Sequence, residues 1–432
     1  MNAYWAEQCW LPTGVASRVR IDVSGGSITN IHIGAEPVGV TQLPGLVVPG
    51  FANVHSHAFH RALRGRTHVG SGNFWSWRDH MYALAARLNP DSYLRLATAI
   101  YGEMALAGVT CVGEFHYVHH RPDGRPYANP NVMGDALREA ARQAGIRLTL
   151  LDTCYLRVAN DAQRRFSDTT AEAWASRFFE HNDDETTRFG AAIHSVRAVP
   201  RPEIGTVISA AHGRPLHIHV SEQAAENDAC REAYGLTPTQ LLHEEKALGP
   251  MTTVVHGTHV TPDDVSLLGD TRVAVCLCPT TERDLADGIG PAAALRDAGA
   301  KLCVGTDQHA VIDLFEEVRA LEMHERLTTG LRGVFQPSDL MEALTTQGHV
   351  ALGWPEAGRI EVGAAADLVA VRLDSVRTAG VDLDQFMYAA TAADIDTVIV
   401  GGREIVRDRK HILGDVGSQL TDAISAVWSQ VS

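Results

Sequence analysis

Apolar positions follow two rhythms along this chain. Near the start, "ASRVRIDVSGGSITNIHIG" (16–34) alternates apolar and polar residues and is broken by a Ser-Gly-Gly turn signal. Near the end, "ADLVAVRLD" (366–374) and "DTVIVGGREIVRD" (396–408) do the same, the second interrupted by Gly401 and Gly402. Alternation of this kind predicts strands buried on one face. The two β-rich ends are expected to pack together as one small β-sandwich-like domain, residues 1–46 and 356–432.

Between them, short runs that are apolar nearly throughout alternate with helical patterns such as "MGDALREAARQAG" (133–145) and "LFEEVRALEMHERL" (314–327). Eight runs predict strands: 46–57, 109–116, 147–155, 189–199, 215–222, 252–259, 272–279 and 301–307. Eight β-α units over residues 47–355 predict a (β/α)8 TIM barrel, an α/β fold. A doubly wound open sheet competes, but no Gly-rich phosphate fingerprint supports it.

Composition adds limits. The chain has 432 residues, 45% hydrophobic and 21% charged, as in a soluble globular protein. A net charge of −15 with no basic stripe argues against nucleic acid as a partner. An anionic ligand would need locally placed arginines. The seven cysteines are scattered and odd in number, which predicts reduced thiols and a cytoplasmic protein. Cys276 and Cys278 are a weak candidate for a soft metal site. The start "MNAYWAEQCWLP" lacks a signal-peptide pattern, and no apolar run is long enough for a membrane span.

Polar residues gather at one end of the predicted barrel strands. His55 and His57 end the first, His194 and Arg197 the fourth, His217, His219 and Glu222 the fifth, His256 the sixth and Asp307 the eighth. Barrel active sites are built from strand carboxyl ends. Two imidazoles two residues apart share one strand face. With His219 and the Asp307 carboxylate they make a nitrogen and oxygen donor set suited to one divalent ion, zinc first, with iron, nickel or manganese also acceptable. His217 sits deeper and reads as structural. A divalent ion lowers the pKa of water to about 7. Asp307 would then accept a proton, Glu222 would carry one to a leaving nitrogen, and His256 would stabilise developing charge.

The motifs "HSH", "HIHVSE", "VVHGTH" and "GTD", in this order within such a barrel, resemble the amidohydrolase superfamily. No lysine stands at the end of the fourth strand, which resembles the superfamily's one-metal deaminase branch. "HSHAFHRAL", "FWSWRDHMY" (74–82), "GEFHYVHH" (113–120) and "HSVRAVP" (194–200) resemble, within that branch, the N-formimino-L-glutamate deiminases of histidine degradation. The likeness covers nearly the whole chain. It implies hydrolysis of N-formimino-L-glutamate to N-formyl-L-glutamate and ammonia. It also implies Arg78, Arg197, Tyr117 and His194 as ligands of a small dianionic substrate, and paired guanidinium hydrogen bonds suit its two carboxylates. His60 stands where relatives usually have Gln; an imidazole there can still donate one hydrogen bond and can gain charge at mildly acidic pH. A homodimer is a family-level expectation. The remaining readings are a deaminase of a guanine-like or triazine-like ring, a deiminase of another N-formimino amino acid, and a metal-free barrel serving as an association scaffold.

Overall fold

The computed structural model describes residues 2–68 and 74–429. Its strands are β1 (Asn2–Leu11), β2 (Gly14–Ser24), β3 (Ser27–Ile33), β4 (Thr41–Pro49), β5 (Phe51–Ser56), β6 (Val109–His116), β7 (Arg147–Cys154) and β8 (Thr187–Ile193). They continue with β9 (Leu216–Val220), β10 (Thr252–His256), β11 (Ala274–Leu277), β12 (Lys301–Val304), β13 (Leu368–Val371), β14 (Ile395–Val400), β15 (Arg403–Arg407) and β16 (Lys410–His411). Two eight-stranded sheets result, and β5 to β12 run in sequence order in the second. All its neighbours pair in parallel. This is the expected TIM barrel.

The two sheets obey different burial rules. In β1, Tyr4, Ala6, Cys9 and Leu11 are buried between more exposed neighbours, and the alternation shifts at the bulge between Ala6 and Gln8. Every residue of β5 and β6 is buried, because helices cover the outer face and packed side chains fill the inner one. The terminal sheet has the order β16-β15-β14-β13-β4-β1-β2-β3 and so joins both chain ends, as expected.

The run 46–57 reads as one strand but is cut at Gly50. Its first half pairs with β1 and β13 in the terminal sheet, its second half with β6 in the barrel. Pro49 offers no N–H, and a Cβ on Gly50 would lie 2.2 Å from the Thr110 hydroxyl. The chain thus passes between sheets with no linker. The last helix, Val416–Ser429, leaves the terminal sheet and lies on the barrel helix Pro90–Leu106, with the Trp428 indole donating to the Ala62 carbonyl at 3.0 Å. No helix of the described residues is long and apolar enough to cross a membrane.

Closure of the barrel sets up the site. Gly305 follows β12, and a Cβ there would sit 2.8 Å from His55 backbone atoms. Its absence lets the chain press against β5. The Thr306 amide donates to the Asn53 side chain at 2.9 Å, the Asp307 amide to the His55 carbonyl at 2.9 Å, and the His57 amide to the Asp307 carbonyl at 3.1 Å. The contacts that close the barrel therefore also bring Asp307 beside His55 and His57.

Candidate active site

Side chains from β5, β9 and the segment after β12 converge at the barrel mouth. His57 Nδ1 lies 2.9 Å from the Phe115 carbonyl and His219 Nδ1 2.9 Å from the His194 carbonyl. Each carbonyl can only accept, so each Nδ1 carries the proton and each Nε2 lone pair turns inward. His219 Nε2 is 3.0 Å from His55 Nε2. An Asp307 carboxylate oxygen is 3.3 Å from His55 Nε2 and 3.5 Å from His57 Nε2.

Burial pushes the proton affinities of His55, His57 and His219 down, which favours the neutral, ligating form. Burial would raise Asp307, but the hydrogen bond from His55 and the charge of His256 outweigh it and hold the carboxyl below its usual range. Donor atoms of His55, His57 and Asp307 lie within 4.8 Å of one another, as do those of His55, His219 and His256. Neutral nitrogens and an ionised carboxylate at this spacing fit a divalent cation. Asp307 and His256 hold left-handed backbones, φ 45° and 70°, uncommon for residues with a Cβ. Such strain is found where a site dictates side-chain direction.

Beside this cluster lies a proton-handling group. His256 Nε2 is 3.8 Å from a Glu222 oxygen and its Nδ1 is 3.5 Å from a Glu282 oxygen. Burial opposes charge on His256, yet the neighbouring Glu222 and Glu282 carboxylates raise it to about 10. It is an imidazolium at neutral pH, suited to stabilising negative charge. Burial raises the Glu222 carboxyl above its ordinary value, as a group that must exchange protons requires. The Cys278 thiol lies within 4.8 Å of donor atoms of His256 and Asp307, and Cys276, Cys278 and Cys303 all belong to one apolar cluster.

A cavity of about 320 Å³ opens over the cluster. His60, Arg78, Tyr117, His194, Arg197, Glu222, His256 and Asp307 all line it. His60 Nε2 meets the Tyr117 hydroxyl at 2.9 Å. Burial pushes His60 down to about 3, so the charge an imidazole can gain at mildly acidic pH does not develop here. Arg78 stacks over Trp75 at 4.4 Å and approaches the Tyr82 ring at 5.5 Å. Arg197 stands 3.7 Å from Glu222 and 3.6 Å from Glu226, beyond hydrogen-bond length. Among the described residues, the Nε groups of both arginines have no hydrogen-bond partner. His217 instead meets the Ala351 carbonyl at 3.2 Å, a structural contact.

Tyr82, Tyr155, Arg157 and Gln163 also line the cavity; Tyr82 ends the "FWSWRDHMY" stretch, but the sequence assigned none of the four a role. Tyr155 ends an apolar strand run and reads as core. Only the Asn160-to-Gln163 spacing, a helix-capping pattern, hints at local order there.

Comparison with known proteins agrees with this geometry. The profile of the amidohydrolase family matches residues 46–405. The chain is 36% identical to formimidoylglutamate deiminase of Pseudomonas aeruginosa, over 95% of this chain and 96% of that protein. It is 27% identical to 8-oxoguanine deaminase of the same organism, over 90% and 91% of the two chains. Among solved structures, an amidohydrolase from Brucella melitensis superposes with a TM-score of 0.92 at 32% identity, covering 99% of this chain and 100% of that one. An adenosine deaminase from Xanthomonas campestris superposes with a TM-score of 0.86 at 23% identity, covering 99% and 98%.

Proposed function

We propose, for a chain that belongs to the amidohydrolase family and is a metal-dependent hydrolase of C–N bonds, that the substrate is N-formimino-L-glutamate. The products are N-formyl-L-glutamate and ammonia. One observation carries this reading: Arg78 and Arg197 line the same cavity as the His-Asp cluster. Two guanidiniums in a chain of net charge −15 suit a small molecule with two carboxylates. The name of the Pseudomonas relative supports the same substrate.

His55, His57, His219 and Asp307 would hold the ion, and zinc is favoured by the donor set and by the zinc named for the Xanthomonas structure. When bound, such an ion lowers the pKa of water to about 7. Arg78 and Arg197 hold the carboxylates, with Tyr117, His60 and His194 beside them. Asp307 takes a proton from the water that adds to the formimino carbon. Glu222 gives its proton to the terminal imine nitrogen as the water adds and regains one from the new hydroxyl. Asp307 passes the water's proton to the same nitrogen, and His256 steadies negative charge on the hydroxyl oxygen. Water adds, the C–N bond to the terminal nitrogen breaks, and ammonia leaves.

The test is ammonia release from N-formimino-L-glutamate, its aspartate analogue, guanine, 8-oxoguanine and S-adenosylhomocysteine by the purified protein. A kcat/KM for the glutamate compound well above the others is expected. Preference for a purine would overturn the proposal.

A further inference from the structure

We propose that Gln163 presets the hydroxyls of Tyr82 and Tyr155 as paired donors to a substrate carboxylate, forming an anion subsite with Arg78 and Arg197. The inference rests on the dicarboxylate substrate proposed above.

Residues Asp161–Phe166 form a 3-10 turn whose cap residue, Asn160, accepts from the Gln163 amide, while the Gln163 side chain reaches back. Gln163 Oε1 accepts from the backbone N–H of Ala159 at 2.6 Å and of Asn160 at 3.2 Å. Only an oxygen can accept from two N–H groups, so the amide orientation is settled. Its nitrogen then faces the cavity wall and donates to the Tyr82 hydroxyl at 2.8 Å and to the Tyr155 hydroxyl at 2.7 Å.

Both amide hydrogens are thereby used, and each phenol oxygen has accepted one. Each phenol keeps its own O–H hydrogen to give. Burial raises the proton affinity of both phenols, so both stay donors at neutral pH. The two hydroxyls are neighbours, and one can turn to the other. The second then has no acceptor among the described residues. Tyr82, Tyr155 and Gln163 are all buried, at 8%, 7% and 5% exposure, yet all line the cavity. A buried donor aimed into a cavity needs an acceptor. Arg78 lies 5.5 Å over the Tyr82 ring and Arg197 lines the same cavity, so the acceptor that fits is an anion. A carboxylate accepts from several donors at once. His194 stands between Tyr155, at 4.7 Å between ring centroids, and His219, at 5.2 Å, so the subsite is set one ring away from the His-Asp cluster and takes a carboxylate of the substrate rather than the reacting carbon.

The test uses zinc-loaded protein, wild type, Tyr82→Phe, Tyr155→Phe and Gln163→Glu. Each is titrated calorimetrically with N-formyl-L-glutamate and with its uncharged diamide, and assayed for ammonia release from N-formimino-L-glutamate. Each phenylalanine variant should bind the dianion about tenfold more weakly, with the loss in Kd and KM exceeding that in kcat. Gln163→Glu should lose more, because its carboxylate would capture both hydroxyl hydrogens. Diamide binding should not change across the series. Unchanged dianion binding in both phenylalanine variants, or an equal loss for the diamide, overturns the subsite while leaving wild-type turnover to support the function. Tyrosine-dependent binding without wild-type turnover supports the subsite and refutes the proposed reaction. Failure of the wild type to bind the dianion overturns both.

Discussion

The cavity has two walls of different construction. The inner wall is made of strand ends: His55 on β5, His57 just past it, His219 on β9, His256 on β10 and Asp307 after β12, all but His55 lining the cavity. The outer wall is made of connecting segments: Arg78 and Tyr82 on the helix Phe74–Ala85, Tyr155 just past β7, and Gln163 in a 3-10 turn. Neighbouring strands lock the inner wall through backbone hydrogen bonds, and barrel closure is part of that lock. Side-chain hydrogen bonds hold the outer wall. The buried Arg165 guanidinium, for instance, donates to the carbonyls of Ala85, Leu88 and His120 and so ties the Arg78 helix to the loop after β6. The difference suggests a division of labour, with chemistry on the strand ends and substrate choice on the connections.

Substitutions can break or sharpen that division. The largest effect belongs to Asp307→Asn, which removes an ion donor and a proton acceptor together. Turnover should fall about ten-thousandfold, and bound metal measured by elemental analysis should fall with it. Glu222→Gln should lose about a thousandfold in kcat but keep its metal. Metal loss in that variant would place Glu222 among the ligands instead. Arg78→Met should act on the other side of the comparison, raising KM for the dicarboxylate about thirtyfold with a smaller change in kcat. An equal rise in KM for a neutral substrate would contradict the assignment.

The smallest effect concerns the outer wall's support. His119 meets the Thr153 carbonyl at 2.9 Å, and its backbone and that of His120 donate to the Arg165 carbonyl. Burial lowers His119 from 6.5 to about 4. The unfolded chain therefore takes up this proton first. The stabilisation is complete above about pH 6.5 and is lost as pH falls toward 4, by about 1.4 kcal/mol per pH unit. Urea unfolding at pH 7 and pH 5.5 should show a loss about 1 kcal/mol smaller in His119→Gln than in the wild type. An identical pH slope would contradict the burial argument.

The inner wall was legible in the sequence for a physical reason. A strand turns alternate residues to one face, and barrel chemistry collects where strands end, so "HSH", "HIHVSE" and "GTD" carry position as well as residue type. The helices over 132–144 and 314–329 and the joining of both chain ends in one sheet follow from periodicity in the same way. What stayed hidden depends on contacts between segments. The cut at Gly50 needs Thr110 beside it. The neutrality of His60 is a matter of burial, which residue type does not reveal. Tyr82 and Tyr155 look like core aromatics until the Gln163 amide is seen to orient both. The resemblance to relatives supplied Arg78 and Arg197 but no role for that pair of phenols.

The most direct test of two walls sharing one substrate is a crystal structure of the zinc-loaded protein with N-formyl-L-glutamate. The account predicts the formyl group within reach of His55, His57, His219 and Asp307, and the carboxylates on Arg78, Arg197 and the two tyrosine hydroxyls. Carboxylates directed to solvent, or a formyl group remote from the His-Asp cluster, would contradict it.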